Sequence, residues 1–95
     1  MNYKITVHIN SIHGNQMAAK INGKFILDGN KFRFYAIAFG RIGGHNVGVK
    51  ISKNTEKILT KSGHDINTVI EKLQRCLIEG NIKLPEGLKL DSFAD

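Results

Sequence analysis

The segment KFRFYAIAF, Lys31 to Phe39, is predicted to form the centre of the fold. Its residues alternate with period 2, the spacing at which the side chains of a β-strand point to opposite faces. One set is apolar throughout and consists of Phe32, Phe34, Ala36 and Ala38. The other set begins with cations and ends with an aromatic residue, and consists of Lys31, Arg33, Tyr35, Ile37 and Phe39. This pattern predicts the central strand of a small sheet with one face toward a core.

The residues before this stretch predict further strands. Residues 3–9 alternate with many β-branched side chains, and residues 11–16 have the composition of a loop. Asn22-Gly23 favours a tight hairpin turn, because both central residues of a type I′ turn need positive φ. Two interpretations remain open for residues 17–27: two short strands joined at Asn22-Gly23, or one strand with a bulge at Gly23. Asp28-Gly29-Asn30 is a second turn signal.

The residues after it predict a connection and one more strand. Residues 40–48, GRIGGHNVG, are expected to link two strands loosely, and alternation over residues 47–52 predicts the last strand. Residues 53–63 are ambiguous. Either Asn54 caps a short helical turn, or residues 57–60 are extended.

Residues 65–79 predict the one strong helix. Asp65 is a suitable N-cap and Gly80 a suitable terminating residue. A single apolar stripe is formed by Ile66, Val69, Ile70, Leu73, Cys76 and Leu77. An isolated helix of this length is marginal in water, so the stripe is expected to pack on the sheet. The predicted fold class is therefore α+β: an antiparallel β-meander of four or five strands with one C-terminal α-helix, about 65–79, on one face.

The length of 95 residues predicts one domain spanning 1–95. It divides into a basic β-sheet region over 1–53, a helix over 64–80 and an extended tail over 81–95, whose apolar residues are expected to cover a sheet edge. The single Cys76 cannot form an intrachain disulfide, and the alternating N-terminus does not resemble a signal peptide. No apolar run approaches a membrane span. These features favour a cytoplasmic location and no membrane partner.

The positive charge is concentrated in the predicted sheet. Residues 1–53 contain eight Lys or Arg and one acidic residue, whereas residues 54–95 contain six Lys or Arg and seven acidic residues. Such asymmetry favours an anionic partner for the first half, although a merely solvated lysine-rich face would look the same.

We expect the outward sheet face to contact nucleic acid or a nucleoprotein. Its cations would contact phosphates and Tyr35 would stack on a base. The loop Gly40–Gly48 would add Arg41, His45 and an anion nest of backbone N–H groups. The candidate binding residues are Lys4, Lys20, Lys24, Arg33, Tyr35, Arg41, His45 and Lys50.

Catalytic and metal-binding patterns are weak. The four histidines are not at metal-ligand spacing, and Cys76 lies on the apolar stripe of the helix, where a packed thiol is expected. The sequence therefore predicts a non-enzymatic protein without cofactor or metal.

Two other functions remain open. One is a small inhibitor or adaptor, of the kind that mobile elements and phages direct against a host defence protein; small size and a Lys/Asn/Ile-rich composition favour it. The other is a homo-oligomer that holds a small anionic ligand at Gly40–Gly48.

Overall fold

The computed structural model describes residues 4–14, 17–39 and 46–85. Within these residues, four strands form one antiparallel sheet in chain order, and two helices follow. The strands are β1 (Thr6–Gly14), β2 (Ala18–Leu27), β3 (Asn30–Phe39) and β4 (Asn46–Lys50), and the helices are α1 (Lys53–Lys61) and α2 (Ile66–Glu79). The predicted α+β class is confirmed. The prediction of a single helix is wrong, because α1 precedes the expected one.

β2 passes through Gly23 without turning, so the first of the two open interpretations is wrong. Gly23 is buried on the inner face of the sheet. A Cβ atom there would lie 2.7 Å from the Phe34 ring and 2.5 Å from the backbone oxygen of His8. The glycine therefore permits close packing rather than a turn. The chain turns at Asp28 and Gly29 instead, whose φ values of 54° and 79° suit a type I′ turn.

The bulge lies on β1, opposite Gly23, directly before the segment predicted as a loop. The loop prediction is wrong for residues 11–14, which continue β1 to Gly14. The register shifts between Ile9 and Ser11, which leaves Asn10 as an extra residue. This extra residue reverses the phase of the alternation. Ile12 consequently packs against the core, and His13 is exposed on the opposite face.

The inner face of the sheet and the apolar sides of the helices form one core. Leu73 and Val69 of α2 and Leu59 of α1 are at most 1% exposed. The stripe predicted for α2 is thus confirmed. Asp65 caps this helix, its carboxylate accepting from the Thr68 N–H at 3.1 Å, and Gly80 ends it at a φ of 74°. Neither described helix is long and apolar enough to cross a membrane.

α1 begins one residue after Ser52, not at the predicted cap Asn54. The Ser52 hydroxyl accepts from the Thr55 N–H at 3.1 Å and donates to the Thr55 hydroxyl at 3.0 Å. Only Thr55 and Leu59 of this helix are buried. Two core positions are too few to establish a period, which is why the sequence left the segment ambiguous.

The tail covers part of the β1 edge. The Ile9 N–H donates to the Lys83 oxygen, and the Lys83 N–H donates to the Val7 oxygen, both at 2.8 Å. This confirms the expectation of edge coverage for residues 81–85. Residues 86–95 lie outside the described part of the chain.

Two side-chain contacts tie the helical region to the sheet. Gln74 of α2 donates to the backbone oxygen of Val47 in β4 at 3.0 Å. His64, between the helices, lies 2.6 Å from the carboxylate of Asp28 in the β2–β3 turn. Both described helices therefore lie on one side of the sheet, and neither covers the opposite side.

Candidate functional site

The sheet face opposite the helices, called the outer face below, carries most of the predicted cations. Its five basic side chains are Lys20, Lys24, Lys31, Arg33 and Lys50, and all of them are exposed. No Asp or Glu occurs in any of the four strands. Within the described residues, none of the five forms an ion pair. Among the described residues, the outer face is therefore positive without an acidic residue in its strands to compensate it.

The strand register places basic residues directly opposite one another. Lys24 of β2 pairs with Arg33 of β3 on one side and with His8 of β1 on the other. Lys20 pairs with His13 in the same way. Like charges at directly opposed positions destabilise a sheet. In this row of residues, Lys24 and Arg33 are like charges in direct opposition; the pair costs stability, so stability does not explain its position.

A groove of about 460 Å³ runs beside this row. Lys24, Arg33 and Lys50 line it, with the half-buried ring of Tyr35 among them. Tyr35 pairs with Lys50 on β4 and with an asparagine on β2. Three cations and one aromatic ring therefore line the same groove, an arrangement that suits an anion attached to a flat group.

Beyond Tyr35 the outer face becomes apolar. Tyr35, Ile37 and Phe39 follow at every second position of β3, and we call these three residues the apolar end. Phe39 is 56% exposed, which is unusual for a large aromatic side chain. The apolar end and Gly48 of β4 line a recess of about 160 Å³. A Cβ atom built on Gly48 would meet nothing within 4 Å, so the recess is open at this residue.

No protein-family model, curated protein or solved structure matches this chain. The function therefore has to be inferred from the outer face itself. Its two distinguishing properties are the uncompensated charge and the exposed apolar end beside it.

Five predicted site residues share the outer face: Lys20, Lys24, Arg33, Tyr35 and Lys50. Lys4 is exposed but precedes β1, outside the strands. Arg41 and His45 lie outside the described residues, as does most of the loop predicted as an anion nest. The last strand, predicted over residues 47–52, ends at Lys50, and the hydroxyl of Ser52 beyond it caps α1.

Sequence reasoning left several outer-face residues out of the site, among them Lys31, Phe39 and His13. Lys31 shares the face of Arg33 by simple alternation and could have been included. Phe39 also follows the alternation, but only the structure shows its exposure. His13 could not have been placed, because its orientation depends on the bulge of β1.

A metal site and a nucleophilic cysteine are the two other kinds of site to consider in the described part of the chain. No group of three or more His, Cys, Asp or Glu there could hold a metal ion. Burial raises the pKa of the Cys76 thiol, Glu79 raises it further, and Lys72 opposes this in part. A raised pKa keeps the thiol protonated at neutral pH, so Cys76 lacks the thiolate that a nucleophile needs.

Proposed function

We propose that this protein is a non-enzymatic binding module whose outer face contacts nucleic acid, free or within a nucleoprotein. The supporting observation is the uncompensated cluster of five exposed cations, with Lys24 directly opposite Arg33. A polyanion that neutralises both residues would remove a repulsion that the isolated protein has to tolerate. The cytoplasmic location favoured by the single cysteine belongs to the same proposal.

The groove suggests how the contacts are divided. Lys24, Arg33 and Lys50 would contact phosphates, since all three are exposed and line one groove. Tyr35 would contact a base, because its half-buried ring lines the same groove. Lys20 and Lys31 would extend the charged surface at either side of this groove.

Salt dependence tests the proposal directly. With three to five phosphate contacts, the logarithm of the association constant should fall against the logarithm of salt concentration with a slope of roughly −2 to −4.5. Fluorescence anisotropy with labelled DNA and RNA oligonucleotides measures this slope. If no oligonucleotide binds at low salt, or binding has no salt dependence, the proposal is wrong.

A single charge removal localises the contact. Lys24→Ala should weaken binding to all sequences and make the salt slope shallower by about one unit. Lys57→Ala, which removes an equally exposed lysine from α1, is the matched control and should leave the slope unchanged. Equal effects of the two variants would indicate a response to net charge alone and would contradict a site on the sheet.

One observation favours the second candidate, an inhibitor or adaptor that binds a host defence protein. Met17 is 81% exposed and Phe39 is 56% exposed, and Met17 precedes Ala18, which pairs with Phe39, so both lie at one end of the sheet. A contiguous exposed apolar patch is typical of a protein interface. Capture of a single host protein that survives nuclease treatment and high salt would support this candidate. Loss of that capture after nuclease treatment would support nucleic acid instead.

A further inference from the structure

We infer that the outer face binds a single-stranded nucleic acid, with an unpaired base seated in the recess between Tyr35 and Phe39. This inference rests on the proposed function and adds the class of nucleic acid. It is carried by the recess itself, by the cations on both sides of it and by the exposure of Phe39.

The recess is lined mainly by apolar side chains, which suits the apolar face of a base. Tyr35 and Phe39 stand four residues apart on one face of β3, a distance of roughly 13 Å along a strand, and Ile37 projects from the same face between them. Ile37 pairs with Gly48, which contributes no side chain, so open space lies beside Ile37 over Gly48. A base can enter there, lie against the Ile37 side chain and contact an aromatic ring.

Lysine side chains lie on both sides of the apolar end. Lys50 of β4 pairs with Tyr35, and Lys20 of β2 pairs with Ile37. An unpaired nucleotide offers the matching pattern, since its base has apolar faces and its sugar carries charged phosphates on both sides. In a duplex the base faces are already stacked on one another. A duplex would leave the recess and Phe39 in water while it neutralised the same lysines.

A protein partner fits these observations less well. Lys50 lines the recess and Lys20 lies opposite Ile37 on β2, and the four strands contain no acidic residue that could pair with either lysine. A protein seated here would have to supply both an apolar side chain and carboxylates at fixed positions. Every nucleotide of a single strand supplies a base and a phosphate together.

The test compares three labelled ligands of equal length by fluorescence anisotropy at one low salt concentration. They are an oligothymidylate, an oligouridylate and a blunt DNA duplex. At least one of the two single strands should bind about tenfold or more tightly than the duplex. The thymidylate and uridylate arms separate DNA from RNA, and tighter binding of either supports the inference.

Two variants localise the base. Phe39→Ala should weaken single-strand binding roughly fivefold to hundredfold, the range of one lost base–aromatic stack. Gly48→Val fills open space and should have a similar effect. Both should change duplex affinity by less than about twofold, since the lysines remain. Ile58→Ala removes another exposed apolar residue, in α1, and should alter neither affinity. Thermal unfolding checks that each variant is folded.

The outcomes separate this inference from the proposed function. Equal affinities for single strands and duplex, with Phe39→Ala and Gly48→Val silent, would overturn the single-strand inference and leave the basic face as a nucleic-acid site. Absence of binding to all three ligands would overturn both. Phe39→Ala that abolishes capture of a host protein but leaves every oligonucleotide unaffected would assign the apolar end to a protein instead.

Discussion

The inner and outer faces of β2 and β3 are built from alternating residues of the same two strands, yet their side chains differ in polarity and in burial. On the inner face, side chains are apolar and buried, and the ring centroids of Phe25 and Phe32 lie 5.4 Å apart. On the outer face, Lys24 lies directly opposite Arg33, and Phe39 is exposed. The inner face is explained by the stability of the fold. The like-charge pair on the outer face costs stability, which supports the proposal that these residues contact a partner.

The largest expected difference between the faces concerns two phenylalanines. Phe25→Ala removes a side chain that is 0% exposed and should lower the free energy of unfolding by about 3–5 kcal/mol, because it leaves a cavity in the core. Phe39→Ala on the outer face should lower it by about 1 kcal/mol or less. Urea unfolding followed by circular dichroism measures both. Equal losses would show that the outer face is part of the core.

Two glycines give the next comparison. A methyl group on Gly23 would lie too close to the Phe34 ring and a backbone oxygen, so Gly23→Ala should cost roughly 1–3 kcal/mol of stability. Gly48→Ala enters open space and should be neutral or stabilising by up to about 1 kcal/mol. The same unfolding experiment checks the pair. A tolerated Gly23→Ala would contradict the close packing described for β2.

The smallest expected effect is an increase in the free energy of unfolding. Arg33→Glu replaces a like-charge pair with an attractive pair opposite Lys24, and should raise stability by about 0.2–1 kcal/mol at low salt. The gain should shrink as salt is added, because these exposed charges are screened. Arg33→Gln separates the loss of repulsion from the new attraction. A destabilised Arg33→Glu variant at low salt would mean that the cations of the outer face do not repel one another.

Alternation was enough to predict most of the sheet from the sequence. The faces of β3 follow from its period of two, and α2 follows from an apolar stripe with a cap at each end. For α1, the sequence could not decide between a helical turn and an extended segment, since the helix buries only Thr55 and Leu59. Gly23 was misleading for a different reason. A glycine required by packing in three dimensions looks, in sequence, like a glycine required by a turn.

The candidate site was predicted less completely than the fold. The parity of Lys20, Lys24, Arg33 and Lys50 placed them on one face, but which residues lie opposite one another depends on register. The β1 bulge shows the limit most clearly, because one extra residue, Asn10, moves His13 to the outer face. The exposure of Phe39 depends on what packs around it, and the sequence contains no local signal for that.

Measuring binding and stability on the same variants tests most directly whether the outer face is the binding surface. Arg33→Glu/Lys50→Glu changes the outer face, and Lys57→Glu/Lys61→Glu makes the same net-charge change on α1, where both lysines are exposed. At low salt the first variant should bind an oligonucleotide at least about a hundredfold more weakly, because two phosphate contacts become repulsive, and should lose no more than about 1 kcal/mol of stability. The second should stay within about threefold of the unmodified protein. Equal weakening by the two variants, or unchanged binding by the first, would contradict the claim that the outer face is the binding surface.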